Sequence, residues 1–280
     1  MQDTINNAPI RQSARFENNI HPAAHWLGNT CSNKQGNQLD YGKPDIRGRF
    51  KAFSIEEAGR GQDRRPNTSY SPLRYPGGKS RAVKYILPLI GGRTKTLVSP
   101  FFGGGAIELA AARHGIQVQG FDIFEPLVDF WHCALTDPKT LADRVSQFYP
   151  MSHERFQNLQ AHCEGLEGLE RAAAFYVLNR ASFSGLTLSG GMAGPNDTRF
   201  TPTAISKLAR FECPNLLVQR ADFRESLSAF PAEFTYLDPP YLLKKSNLYG
   251  VRGGAHKHFN HAALAALLRQ RKAHWLSARV

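Results

Sequence analysis

Cysteine is scarce in this chain. Its 280 residues include four cysteines, Cys31, Cys133, Cys163 and Cys213, with no CxxC pair and no Cys/His spacing of the zinc type. That leaves neither a disulfide framework nor a metal site to expect. It suits a reducing compartment, and the expectation is a cytoplasmic protein without metal. Long apolar runs are also missing. None approaches the roughly 18 residues needed to cross a bilayer, so no membrane partner is expected. The opening stretch "MQDTINNAPIRQSARFENN" lacks the apolar centre of a secretory leader. Acidic residues are in deficit, 23 against 35 Lys and Arg, for a formal net charge of +12. Such an excess fits an anionic partner, above all nucleic acid, although a generically basic protein would share it.

The chain changes character near residue 70. Residues 1–70 are rich in Asn, Gln, Gly, Arg and Asp, show no sustained hydrophobic period, and carry ten basic and seven acidic residues. They cannot bury enough apolar surface to offset their ordering entropy, which predicts a disordered extension. Residues 71–280 then read as one globular unit. "KTLVS" (95–99), "QVQGFD" (117–122), "NLLVQRAD" (215–222), "EFTYLD" (233–238) and "HWLS" (274–277) are predicted strands. Helices are predicted at 103–115, 126–135, 141–149, 169–183 and 260–273, the last capped by Asn260. Strands alternating with helices predict an α/β fold, a mainly parallel sheet with helices on both faces. Ligands in such folds bind beyond the carboxyl ends of the strands.

Three stretches carry chemistry. In "LVSPFFGGGAIEL" (97–109) a strand, a glycine loop and a helix follow one another. Gly103, Gly104 and Gly105 permit close backbone approach, and the helix start offers free N–H groups. Asp122 ends the next strand about twenty residues on, where an acid can accept hydrogen bonds from both ribose hydroxyls. Together they suggest a cofactor containing adenosine. "RYPGGKS" (74–80) fails as a P-loop, because Leu73 stands where glycine is required. In "FTYLDPPYLL" (234–243) a strand ends on Asp238 and two prolines come next. Pro239 and Pro240 have fixed φ and no N–H. They can hold the Pro239 carbonyl beside the Asp238 carboxylate, a pair of acceptors suited to a planar exocyclic amine. Such a nitrogen is barely nucleophilic while its lone pair is delocalised into the ring. Holding its two hydrogens favours a pyramidal nitrogen, and Asp238 stabilises the positive charge that develops. Tyr241 offers a face on which a base can stack.

In that order these motifs resemble the Dam-like (alpha-group, DPPY) DNA adenine-N6 methyltransferases, over about residues 71–277. The resemblance implies a Rossmann-like methyltransferase sheet, S-adenosyl-L-methionine as cofactor and DNA as partner. It implies that Tyr75 and Lys79 of "LRYPGGKSR", and Phe102, Gly103 and Gly105 of "SPFFGGGAIEL", touch the cofactor. Asp122 of "GFDIFEPL" would bind its ribose, Asp222 and Phe223 of "ADFRESL" its adenine, and Asp238 its reacting end. Asp238, Pro239, Pro240 and Tyr241 would form the catalytic motif. "FYVLNRASFSGLTLSGG" resembles the family's Asn-Arg segment before the target-recognition region. On that reading residues 136–214 are an inserted helical, target-recognition region. Arg180, Arg199, Lys244 and Lys245 are then candidate phosphate contacts, although Asn179 and Arg180 could equally pair internally.

Two departures qualify the resemblance. Ser99 stands where the family usually has Asp or Glu, near the methionine part of the cofactor. After "HWLS" come only Ala278, Arg279 and Val280, where the family continues into a further helix and hairpin. The expectation is therefore a sheet lacking its terminal strands and exposing an apolar edge at Trp275 and Leu276. An inactive truncated remnant is a rival expectation. Cytosine N4 and RNA adenine are alternative acceptors.

Overall fold

A computed structural model describes residues 71–194, 198–241 and 259–278. The expected disorder of residues 1–70, and Lys244 and Lys245, lie outside the described residues. Five parallel strands form one sheet: β1 (Thr96–Ser99), β2 (Gln117–Asp122), β3 (Leu216–Arg220), β4 (Phe234–Leu237) and β5 (Trp275–Ser277). Their order across the sheet is β3-β2-β1-β4-β5. The chain runs outward from β1 to β2 and β3, then crosses back to lay β4 on the other side of β1. Ser99 lies opposite Gly120, and Val98 opposite Thr235. The direction of winding therefore reverses between β1 and β4, and a crevice opens above their carboxyl ends.

Alternation along the strands explains the two layers of helix. Leu97, Val118 and Tyr236 face the larger core, while their neighbours Val98, Phe121 and Leu237 face the other side. Against the larger face pack α1 (Val83–Ile90), α2 (Ala106–Arg113), α3 (Glu125–Thr136) and α6 (Gly168–Ala181). Before α6 come α4 (Pro138–Ser146) and α5 (His153–His162), and after it α7 (Pro202–Leu208). The opposite face is covered by α8 (Phe223–Ala229) and α9 (His261–Gln270), where Phe223, Leu227, Leu237 and Leu264 meet. The result is the Rossmann-like α/β architecture.

The structure adjusts several sequence-based bounds. Helix α2 starts at Ala106 rather than 103, because Gly103 and Gly105 have φ of 50° and 66° and close a turn first. Asp137 accepts a hydrogen bond from the Thr140 N–H, so α4 starts at Pro138, earlier than its apolar period suggests. Asn260 caps α9 as expected, accepting from the Ala263 N–H. Helices α1, α5, α7 and α8 fall outside the helical ranges read from the sequence. Within 136–214, α6 is no peripheral element: Ala172 to Asn179 are all buried against the main core. Strand β5 pairs with β4 alone among the described residues, and Trp275 is 46% exposed. No described helix is long and apolar enough to cross a membrane.

Candidate active site

A cavity of about 660 Å³ opens at the carboxyl ends of β1 and β4, a size within the usual range for small-molecule sites. Tyr75, Lys79, Phe102, Gly103, Gly105, Asp122, Asp222, Phe223, Asp238 and Pro240 all line it. Segments far apart in sequence thus converge where the winding reverses.

One wall is the glycine loop. The Asp122 carboxylate accepts hydrogen bonds from the N–H of Gly103 at 2.9 Å and of Phe124 at 3.0 Å. It therefore ties β2 to the loop and also faces the cavity. Burial raises its pKa, and these N–H groups pull it back toward ionisation. Trp131 Nε1 donates to the Gly103 carbonyl at 3.0 Å, and Phe102 meets the Trp131 ring edge to face at 5.2 Å. Two glycines are required by this packing. A Cβ on Gly120 would lie 2.2 Å from the Phe102 ring, and one on Gly105 would lie 2.7 Å from it.

The second wall precedes α1. Tyr75 lies over the glycine loop; a Cβ on Gly104 would sit 2.6 Å from its Cβ. Fully buried Asn179 of α6 fixes this segment. Its side chain accepts from the Arg74 N–H at 2.9 Å and donates to the Arg74 carbonyl at 2.7 Å. Asn179 thus anchors the backbone immediately before Tyr75. On the far side Asp222 caps α8 in a capping box with Glu225. Phe101, Phe223 and Phe259 form an aromatic cluster there, with ring centroids 5.3 to 5.8 Å apart.

At the end of β4 the Asp238 carboxylate meets Lys79. The ammonium lies 3.0 Å from Oδ1 and 2.9 Å from Oδ2, and also donates to the Gly77 carbonyl at 2.8 Å. The Tyr241 hydroxyl donates to Asp238 Oδ1 at 3.1 Å and also hydrogen-bonds Lys79. The side chains are 11% exposed for Lys79 and 22% for Asp238, so the pair is largely dry. Burial opposes charge on Lys79, but the bonds to Tyr241 and Asp238 outweigh it and raise its pKa. Burial also raises Asp238, with Lys79 and Tyr241 working against that rise. Pro239 and Tyr241 are not in the cavity lining, although Tyr241 reaches it through Asp238.

The predicted phosphate contacts Arg180 and Arg199 stand away from the cavity. The Arg180 guanidinium donates to the carbonyls of Arg199 at 3.0 Å and Pro72 at 3.3 Å, the internal pairing that was the open alternative.

Sequence reading missed Glu108, on the third residue of α2. Ser99 is fully buried and donates from its hydroxyl to Glu108 Oε1 at 2.6 Å. Where β1 ends on a serine, a buried acid nine residues later is thus bonded to it. Tyr236, also in the lining, was missed as well; its hydroxyl is buried with no hydrogen-bond partner among the described residues.

The residues fit a nucleoside cofactor with a charged tail. The glycine loop excludes side chains from one wall, the aromatic cluster offers ring faces, and an orphaned hydroxyl awaits a polar partner. No curated protein matches the sequence. Residues 75–277 match the family model for the D12 class N6 adenine-specific DNA methyltransferase.

Proposed function

This chain belongs to the D12 class of N6 adenine-specific DNA methyltransferases, and from that premise we propose that it draws its methyl group from S-adenosylmethionine and receives its target adenine turned out of the duplex. The observation that carries the reading is the Lys79 ammonium resting on both oxygens of Asp238. That carboxylate already holds a nitrogen donor, at the cavity end where N6 must be held.

When bound, S-adenosylmethionine would supply a methyl group from its sulfonium, the carbon–sulfur electron pair staying with the sulfur of the departing thioether. The chain's own residues do the rest. Asp122 and the loop from Gly103 to Gly105 seat the ribose, and Phe223 with its aromatic neighbours seats the cofactor adenine beside Asp222. Lys79 withdraws from Asp238 toward Gly77 and Tyr241. Asp238 Oδ and the Pro239 carbonyl then accept the two N6 hydrogens, which frees the nitrogen lone pair. As N6 gains its fourth bond it becomes positive, and Asp238 stabilises that charge in surroundings of low dielectric. A proton then passes from N6 to solvent, which restores the neutral amine. Tyr241 stacks on the extruded base, a contact of about 1–3 kcal/mol in single-stranded binders. Lys244 and Lys245 come after the catalytic motif and, with Arg199, serve as phosphate contacts.

The test uses the purified full chain, unmethylated duplex DNA and S-adenosylmethionine labelled in its methyl group, with the product digested to nucleosides. The expected label is in N6-methyldeoxyadenosine. Label in N4-methyldeoxycytidine, or no transfer at all, would contradict the proposal.

A further inference from the structure

Glu108 is buried at the floor of the cavity, 2% exposed, in a chain otherwise rich in cations. Its side chain bonds a neutral group, the Ser99 hydroxyl at 2.6 Å, and it makes no ion pair among the described residues. A buried carboxyl without a cation is costly, and the usual remedies are a partner charge or protonation. The reaction outlined above uses Asp238 and leaves Glu108 without a task. Beside it stands a buried hydroxyl without a partner among the described residues. Val98 pairs with Thr235, so Tyr236 is in register with Ser99. The Tyr236 side chain is 1% exposed, and its hydroxyl has no partner among the described residues. Ser99, Glu108 and Tyr236 thus gather at the switch point between β1 and β4, next to Asp238. Two carboxyls and a free hydroxyl repel an anionic ligand group and suit a cationic nitrogen with several hydrogens.

We propose that Glu108, with the Tyr236 hydroxyl beside it, seats the ammonium group of the amino-acid tail of S-adenosylmethionine. The inference rests on the cofactor reading above and assigns one end of that ligand to named residues. The ammonium donates to the Glu108 carboxylate and to the Tyr236 oxygen, so the acid needed at the first strand is supplied from the helix while Ser99 orients it.

The electrostatics point the same way. Burial pushes the Glu108 carboxyl up to about 7, the Ser99 bond and the N–H groups of Glu108 and Ile107 oppose that, and the Asp238 charge adds to it. Burial raises the Tyr236 phenol too, helped by Glu108, Asp238 and Tyr241. The groups facing Glu108 are therefore Ser99 on β1, Tyr236 on β4 and Asp238, whose own charge is held by Lys79 and Tyr241. An ammonium placed on Glu108 favours its ionised form, so binding near pH 6.5 expels a proton.

The experiment is isothermal titration calorimetry of S-adenosylhomocysteine, which keeps the ammonium, and of 5′-methylthioadenosine, which lacks the amino-acid tail. Each is titrated at pH 6.5 into wild type and Glu108→Gln, in two buffers of different ionisation enthalpy. Wild type is expected to release part of a proton with S-adenosylhomocysteine only. Glu108→Gln is expected to abolish the release and weaken S-adenosylhomocysteine about tenfold or more, as expected for losing a hydrogen bond to a charged group. It should bind methylthioadenosine as wild type does. Tyr236→Phe, a smaller change to the core, should weaken S-adenosylhomocysteine alone by a few-fold. Unchanged S-adenosylhomocysteine affinity in Glu108→Gln, persisting proton release, or equal loss of both ligands would overturn the assignment while leaving the cofactor reading intact. Failure of wild type to bind either ligand would instead remove the cofactor reading, and the assignment with it.

Discussion

Replacing Lys79 by Met should expose how strongly the cavity depends on one ion pair. The separation is 2.9 Å, and both side chains are mostly shielded from water. At an effective dielectric constant of about 20 the gross attraction is about 6 kcal/mol. Dehydration of both ions cancels much of it, so the informative quantity is the cost of removing one partner and leaving the other. Lys79→Met leaves a buried carboxylate unpaired, and Asp238→Asn leaves a buried ammonium unpaired; each should cost about 3 kcal/mol. The double variant buries neither charge and should return to within about 1 kcal/mol of wild type. Urea denaturation of the four proteins, monitored by far-ultraviolet circular dichroism, gives the coupling directly. A coupling of several kcal/mol supports the geometry. Additivity to within about 0.5 kcal/mol would mean that Lys79 and Asp238 do not share a dry contact in solution. The same series has a pH signature. Burial already raises Asp238 and Lys79 restrains that rise. Lys79→Met should therefore move the acid limb of the methyl-transfer profile to higher pH.

Three other positions give distinct outcomes. Asp122→Ala strips the acceptor from the Gly103 and Phe124 N–H groups. It should cost about 2 kcal/mol of stability and weaken S-adenosylhomocysteine binding, read by denaturation and calorimetry; unchanged affinity would count against its ribose role. Gly120→Ala forces a Cβ into the Phe102 ring. It should lower the melting temperature by several degrees, whereas Gly115→Ala meets no neighbour within 4 Å and pays only for its φ of 83°. Glu108 has a folded-state pKa raised from 4.5 to about 7. Its contribution to stability is complete below 4.5 and is lost as pH rises through about 7, a change of about 3 kcal/mol. Ligand-free Glu108→Gln should gain that much on wild type between pH 5 and pH 8; parallel stability curves would show that the carboxyl is not buried as described.

How much of this could be read from the residues depends on the range of the physics involved. Strand β2 was legible to its ends, Gln117 and Asp122, because alternation and the turn after it are local signals. The strand ending at Leu237 was legible for the same reason, with Asp238 and two prolines to stop it. Helix α8, only seven residues long, shows too short a period to declare itself, although its Asp222–Glu225 capping box was there to be found. The membership of the cavity lining was largely legible because strand ends of a parallel sheet share one edge. The contacts that position those members were not. Lys79 and Asp238 are 159 residues apart, and Arg74 and Asn179 are 105 apart. Nothing local distinguishes Asn179 from a surface amide, or Glu108 from an ordinary acid in the first turn of a helix. Arg180 shows the same limit: its guanidinium donates to two distant carbonyls, the internal pairing that its sequence position left open beside a phosphate contact.

The most direct test is the single-turnover rate of methyl transfer to duplex DNA by wild type and by Asp238→Asn, with S-adenosylhomocysteine affinity measured alongside. If the Asp238 carboxylate holds N6 and stabilises its developing charge, the rate should fall by about 10²–10³ or more while cofactor affinity changes only a few-fold. A rate within tenfold of wild type, at undiminished cofactor binding, would contradict the account.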